Sequence, residues 1–184
     1  MEILQLDVQG MPQAWLHAEQ AALHYATENV AWTVGDVCLT LRGGMNALTG
    51  AQSTLELHPI IALSGAARIN LFDCVPALSN AKLFRRDRMT CAYCGSIFRA
   101  EQLSREHIVP ASRGGADSWM NLVTACRGCN HRKGARTPEQ ARMPLLFTPY
   151  APSVYEDFIL RGRHVRADVH AWLAARLPKG SRVA

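Results

Sequence analysis

No apolar run in this 184-residue chain reaches the ~18 residues that a membrane-spanning helix needs. The opening, Met1-Glu2-Ile3-Leu4-Gln5-Leu6-Asp7, carries an acid where a secretory leader would carry base, and no long apolar stretch follows. A soluble, cytoplasmic protein with no membrane partner is expected. Internal repeats and low-complexity segments are also missing, which excludes solenoid and fibrous architectures. Disorder is excluded by a composition of 48% hydrophobic and 19% charged residues, close to globular averages. The length suits one ordinary domain, or a small cassette on a supporting layer, and is too short for two large domains.

What is present is unevenly spread. Formal net charge is only +5, yet Lys82, Arg85, Arg86, Arg88, Arg99, Arg105, Arg113, Arg127, Arg132, Lys133, Arg136 and Arg142 crowd one third of the chain. Against Asp87, Glu101, Glu106, Asp117 and Glu139 they give that third +7 and leave −2 elsewhere. A segment that faces a polyanion has this segregation, and so has an ordinary solvated basic surface.

Residues 1–79 read as a small mixed α/β layer with no recognisable chemistry. Ile3 to Val8 alternates like a strand and stops at Gly10-Met11-Pro12. The alanine-rich stretch His17 to Asn29 predicts a helix, with Leu16, Gln20, Leu23 and Ala26 at helical spacing. Val37 to Leu41, ended by Gly43-Gly44, and Thr54 to Leu57 predict strands. His17, His24 and His58 are isolated, which favours structural or surface roles. Further on, Asn80 to Asp87 reads as a short capped helix, and Thr137-Pro138-Glu139-Gln140 as a helix start. A Pro-rich passage, Pro144 to Pro152, leads to a final helix near Arg166 to Arg176 with Val169, Trp172 and Leu173 on its buried face.

Four of the six cysteines are paired by spacing, as Cys91-Ala92-Tyr93-Cys94 and Cys126-Arg127-Gly128-Cys129. Two such turns can place four thiolates tetrahedrally around zinc, which favours sulfur ligands. A disulfide pair is disfavoured inside a cell, and a redox dithiol would not need the second turn. The 31 residues between the pairs exceed a zinc-ribbon gap, so something is inserted between the halves of the staple. Cys38 and Cys74 fit neither pair and read as small buried hydrophobes.

The insert contains Glu106-His107-Ile108-Val109-Pro110, Ser112-Arg113-Gly114-Gly115 and Asn121-Leu122, and the second cysteine turn continues as Asn130-His131-Arg132-Lys133-Gly134. These residues suit phosphodiester hydrolysis, which requires an activated water, a clamp on the phosphate and stabilisation of the leaving oxygen. His107 is the candidate base because its ordinary pKa lies near working pH. Neighbours on a strand point to opposite sides, so Glu106 need not compete with it. Glu106 and Asn130 offer oxygen ligands to a hard cation such as Mg²⁺ or Mn²⁺. Cys126, Cys129, Asn130 and Lys133 fall at i, i+3, i+4 and i+7, one face of a helix that begins early enough.

Over about a third of the chain, roughly Lys82 to Met143, these motifs resemble the HNH endonuclease family. The resemblance implies a ββα-metal cassette and the cleavage of duplex DNA to 5′-phosphate and 3′-hydroxyl ends. It gives Asn121 the middle role of the motif, bonding near the base and fixing the loop after its strand. Two departures stand out: Asn130 in place of the last His, an H-N-N variant, and Glu106 in place of the commoner Asp. Arg113, Arg127, Arg132, Lys133 and Arg136 are candidates for phosphate contact.

The expected fold is therefore α+β. Residues 1–79 form the mixed layer, 80–145 an HNH cassette stapled by a four-cysteine zinc site, and 146–184 the Pro-rich crossing and C-terminal helix. A zinc-stapled nucleic-acid-binding module without catalysis is the competing reading, and a secreted nuclease toxin is disfavoured by the opening sequence. What separates enzyme from binder is Glu106-His107 together with Asn121 and Asn130, since a binder needs no base beside an acid.

Overall fold

Ile3, Leu4 and Leu6 are fully buried because β1 (Glu2–Asp7) lies inside a sheet covered on both faces. The computed structural model describes residues 1–65, 75–162, 164–179 and 181. After β1 come β2 (Pro12–His17), α1 (Ala18–Ala26), β3 (Val30–Val34), β4 (Leu39–Met45), β5 (Gln52–Leu57) and β6 (Ile60–Leu63). They are followed by α2 (Asn80–Arg86), β7 (Leu103–His107), β8 (Leu122–Cys126), α3 (Arg127–Lys133), α4 (Pro138–Ala141), α5 (Val154–Arg161) and α6 (Ala167–Ala174). The architecture is α+β, in two compact units: Met1–Cys74 with Val154–Ala184, and Val75–Ser153.

In the first unit the sheet order is β2-β1-β6-β3, with β1 and β6 parallel and both outer pairs antiparallel. Leu4, Leu6, Ile60 and Ala62 pack against Val154, Phe158, Val169 and Leu173 of α5 and α6. Ile3, Ile61 and Leu63 pack on the other side against Ala21 of α1 and Leu57, with Leu39, Leu41 and Leu55 of the β4–β5 ribbon beside them. The turn after β1 is fixed by Asp7, whose Oδ1 accepts from the backbone of Gln9 and Met11 at 2.9 Å each. Gly10, at φ +87°, takes the left-handed position there.

Several elements differ from the sequence reading. Strands β2, β3 and β6 and helix α5 are additional, and β4 runs through Gly43-Gly44 instead of ending there. Helix α1 is shorter than expected and buries Ala21, whereas Leu23 is 63% exposed. At the C-terminal end α6 buries Val169 and Leu173, and Trp172 is only partly covered. Cys38 is half-buried, its N–H and thiol both directed at the Leu57 carbonyl, and Cys74 lies outside the described residues.

The second unit is built on α2 and the β7–β8 hairpin. Ser79 caps α2 by accepting from Lys82 N at 3.3 Å, and Leu83 and Phe84 pack on Leu103, Trp119 and Leu122. At the end of α2 the chain buries a charge pair, Arg86 and Asp87, with Nε to Oδ1 at 2.8 Å. Burying ions is costly unless every lone pair and proton is used. Here Arg86 also donates to the carbonyls of Trp119, Leu122 and Tyr150, and Asp87 Oδ2 accepts from Thr124 N of β8. The network ties α2, the hairpin and the Pro-rich passage into one frame. Among the described residues no helix is long and apolar enough to cross a membrane.

Candidate active site

The four paired cysteines converge. Cys91 and Cys94 sit on a turn closed by Gly95 N on Cys91 O, while Cys126 is the last residue of β8 and caps α3, its sulfur accepting from Cys129 N at 3.4 Å. All four sulfurs lie within 4.8 Å of one another, as thiolates must to share one tetrahedral ion with bonds of about 2.3 Å. No disulfide joins them. The donor set and its spacing fit a structural metal, and the cluster ends β8, starts α3 and pins the first turn to both.

Strand β7 pairs antiparallel with β8, Leu103 opposite Cys126 and His107 opposite Leu122, and α3 follows directly. This is a ββα unit. Alternation along β7 sends Ser104 and Glu106 toward α3 and Arg105 and His107 the other way. Toward α3, Asn130 Nδ2 donates to Ser104 Oγ at 2.8 Å and Lys133 Nζ donates to Glu106 Oε1 at 2.6 Å. On the opposite side, His107 Nε2 donates to Asp117 Oδ1 at 2.7 Å. Glu106 and Asn130 therefore share one interface, and His107 lies across the strand from it.

Lys133 corrects the sequence reading. Expected among the phosphate-contacting cations, its side chain is 0% exposed and donates to both Glu106 and the His107 carbonyl. It lies three residues after Asn130, on the helix face turned to the hairpin, so burial was settled by helical phase. Removing one partner of a buried ion pair strands the other, at a cost of about 3–5 kcal/mol. Lys133→Met is expected to lower unfolding free energy by about that much, measured by urea denaturation. A loss under ~0.5 kcal/mol, typical of a surface substitution, would contradict the burial.

Asn121 spans the loop that follows β7. Its Oδ1 accepts from Val109 N at 2.9 Å, and its Nδ2 donates to the carbonyls of Val109 and Ala116 at 3.1 and 3.0 Å. The loop closes tightly at Gly115, where a Cβ would stand 1.7 Å from the Val109 carbonyl oxygen; no other residue fits. That closure carries Asp117 back beside His107. Asp117 was absent from the candidate residues, because an acid ten positions away in a loop has no sequence signal of contact. Arg105 was also missed, although its place two residues before His107 on a strand puts both on one side.

Of the remaining basic candidates, Arg113, Arg127, Arg132 and Arg136 are exposed. Arg113 donates to Gln140 Oε1 at 2.7 Å, and Arg136 reaches the carbonyls of Arg132 and Lys133, closing the C-terminal end of α3. Tyr93, between the two cysteines of the first turn, has a buried hydroxyl with no hydrogen-bond partner among the described residues. Burial first, then the nearby charge of Glu106 and the cysteines, push its pKa well up, so it stays a neutral phenol.

Residues 91–146 match a family model described as HNH endonuclease. Over 62 residues the chain is 40% identical to a CRISPR-associated endonuclease Cas9 of Corynebacterium diphtheriae, an alignment covering 30% of this chain and 6% of that protein. This chain thus corresponds to a small fraction of that relative's length. The ββα unit, the cysteine cluster beside it and the family match fall on the same residues, so this part of the chain is similar to the HNH endonucleases.

Proposed function

We propose that the domain hydrolyses phosphodiester bonds of duplex DNA, with His107 as the general base. The observation that carries this reading is the division of labour on β7: adjacent residues present a carboxylate to α3 and an imidazole to the opposite side. In the proposed reaction His107 takes a proton from the water that attacks phosphorus. The bond from phosphorus to the 3′ oxygen breaks, leaving a 5′-phosphate and a 3′-hydroxyl. Asn121 holds the loop that flanks the base, and Arg113, Arg127, Arg132 and Arg136 supply exposed positive charge for the phosphate backbone.

The four cysteines suit zinc in a structural role, given their all-sulfur donor set. Glu106 and Asn130 would hold Mg²⁺ or Mn²⁺, since a carboxylate and an amide oxygen suit a hard cation. Lys133 uses Oε1, which leaves Oε2 of Glu106 as the donor. When bound, such an ion would stabilise the charge that builds on the phosphate and the leaving oxygen.

One observation favours the alternative, a zinc-stapled binding module without catalysis: the Glu106 carboxylate already carries an ammonium at 2.6 Å. Plasmid cleavage by purified protein, abolished by EDTA and restored by Mg²⁺ or Mn²⁺ but not by Zn²⁺ alone, is the expected result. Tight plasmid binding with no cleavage under any divalent ion would decide for the binding module.

A further inference from the structure

Among the described residues Asp117 is the acid that touches the proposed base, and both its oxygens are engaged. Oδ1 accepts from His107 Nε2 at 2.7 Å and Oδ2 accepts from Arg105 at 3.0 Å. Arg105 is itself oriented by Asn80 at the start of α2, its Nε donating to Asn80 Oδ1 at 2.8 Å. The chain of contacts thus runs from α2 through Arg105 and Asp117 to the imidazole. Arg105 and His107 are two residues apart on one side of β7, so a single carboxylate can bridge them.

An ionised carboxylate can only accept a hydrogen bond. The contact therefore requires the hydrogen of a neutral imidazole to sit on Nε2, and it leaves the lone pair on Nδ1. We propose that Asp117 is a positioning residue that fixes the tautomer and ring orientation of His107, so that Nδ1 is the atom that receives the proton of the attacking water. Arg105 holds the carboxylate aimed at the ring. The inference rests on His107 being the base. It adds which nitrogen acts and what holds it there.

Two variants of the full chain test it. Asp117→Ala removes the acceptor. Asp117→Asn is nearly isosteric, but its amide can donate to Nε2 and so favour hydrogen on Nδ1, the unproductive tautomer. Both are expected to lower kcat for plasmid cleavage by about 10- to 100-fold, the usual worth of an outer partner of a functional histidine, with KM for DNA little changed. Asp117 is 60% exposed, so folding should survive both changes. Nitrogen NMR of ¹⁵N-histidine-labelled protein should show the Nε2–H form of His107 in the parent and a loss of that preference in Asp117→Asn.

Unchanged or raised kcat in both variants would overturn the inference, as would an Nδ1–H form in the parent. His107→Ala, assayed beside them, separates the two levels of failure. If it is inactive while the Asp117 variants are fully active, the positioning role alone is wrong. If it cleaves like the parent, the assignment of the base falls first.

Discussion

Stripping the metal from the Cys91, Cys94, Cys126 and Cys129 cluster is expected to unfold the domain that carries it, and activity should be lost with the fold. The reason lies in what the cysteines replace. The small core around them consists of Cys91, Ala125 and Cys126, with Tyr93, Phe98 and Cys129 packed alongside, so half of its members are ligands. Without a cation the four sulfur groups are crowded, within 4.8 Å of one another, and two of them are ill-suited to carry charge. Burial pushes the Cys91 thiol up, and burial together with Cys126 and Cys91 pushes Cys129 well up. Cys94 is brought down, to about 7, chiefly by the Ser96 backbone N–H.

A bound ion reverses that balance by fixing the thiolates, and structural zinc in small domains contributes about 10–16 kcal/mol of apparent binding energy at neutral pH. Cys91→Ser and Cys129→Ser should each lose tertiary structure, and metal analysis of the parent should find about one zinc per chain. Because ligation releases protons, zinc affinity should fall as pH is lowered. Well-folded, active protein with no zinc would refute the structural role.

What could be read from sequence depended on whether a residue's neighbours were set by local spacing. The two C-x2-C turns predict a cluster because each turn brings its own pair together, and the structure gathers all four sulfurs. Glu106 and His107 are adjacent on β7, so their division between two sides follows from strand geometry alone. Lys133 shows the limit of this reasoning. Helical spacing put it on one face with Asn130, but only the packing of α3 on β7 reveals that this face is inward and that Glu106 can neutralise a lysine there.

Other features depended on tertiary surroundings. Ile60-Ile61-Ala62-Leu63 is covered on both sides by helices and a ribbon, so it has no alternation to mark it as a strand. In α1 the inward positions are alanines and Tyr25, leaving the larger Leu23 outside and reversing the face that residue size suggests. The contact of Asp117 with His107 depends on a loop closure that only glycine at 115 permits.

His107→Ala should leave zinc content, folding and DNA binding intact while lowering plasmid cleavage by ~10²–10⁴-fold, the usual worth of a positioned general base. At about 1.4 kcal/mol per tenfold change, that is a loss of about 3–5 kcal/mol of transition-state stabilisation. Folding should survive because His107 is only partly buried and its ring is bonded to a solvent-exposed carboxylate. Variants at Glu106 and Asn130 should behave differently, because their proposed task is to hold an ion. Glu106→Gln is a milder choice than alanine, since the amide oxygen can still accept from Lys133 even though the buried ammonium loses its counter-charge. For Glu106→Gln and Asn130→Ala, activity should be regained in part as Mg²⁺ or Mn²⁺ is raised. For His107→Ala the metal titration should keep the parent's midpoint at a reduced plateau, because added metal cannot replace a base. A parent-like rate in His107→Ala, with contaminating nuclease excluded, would move the catalytic base elsewhere; matching metal titrations in all three variants would mean that Glu106 and Asn130 do not hold the ion.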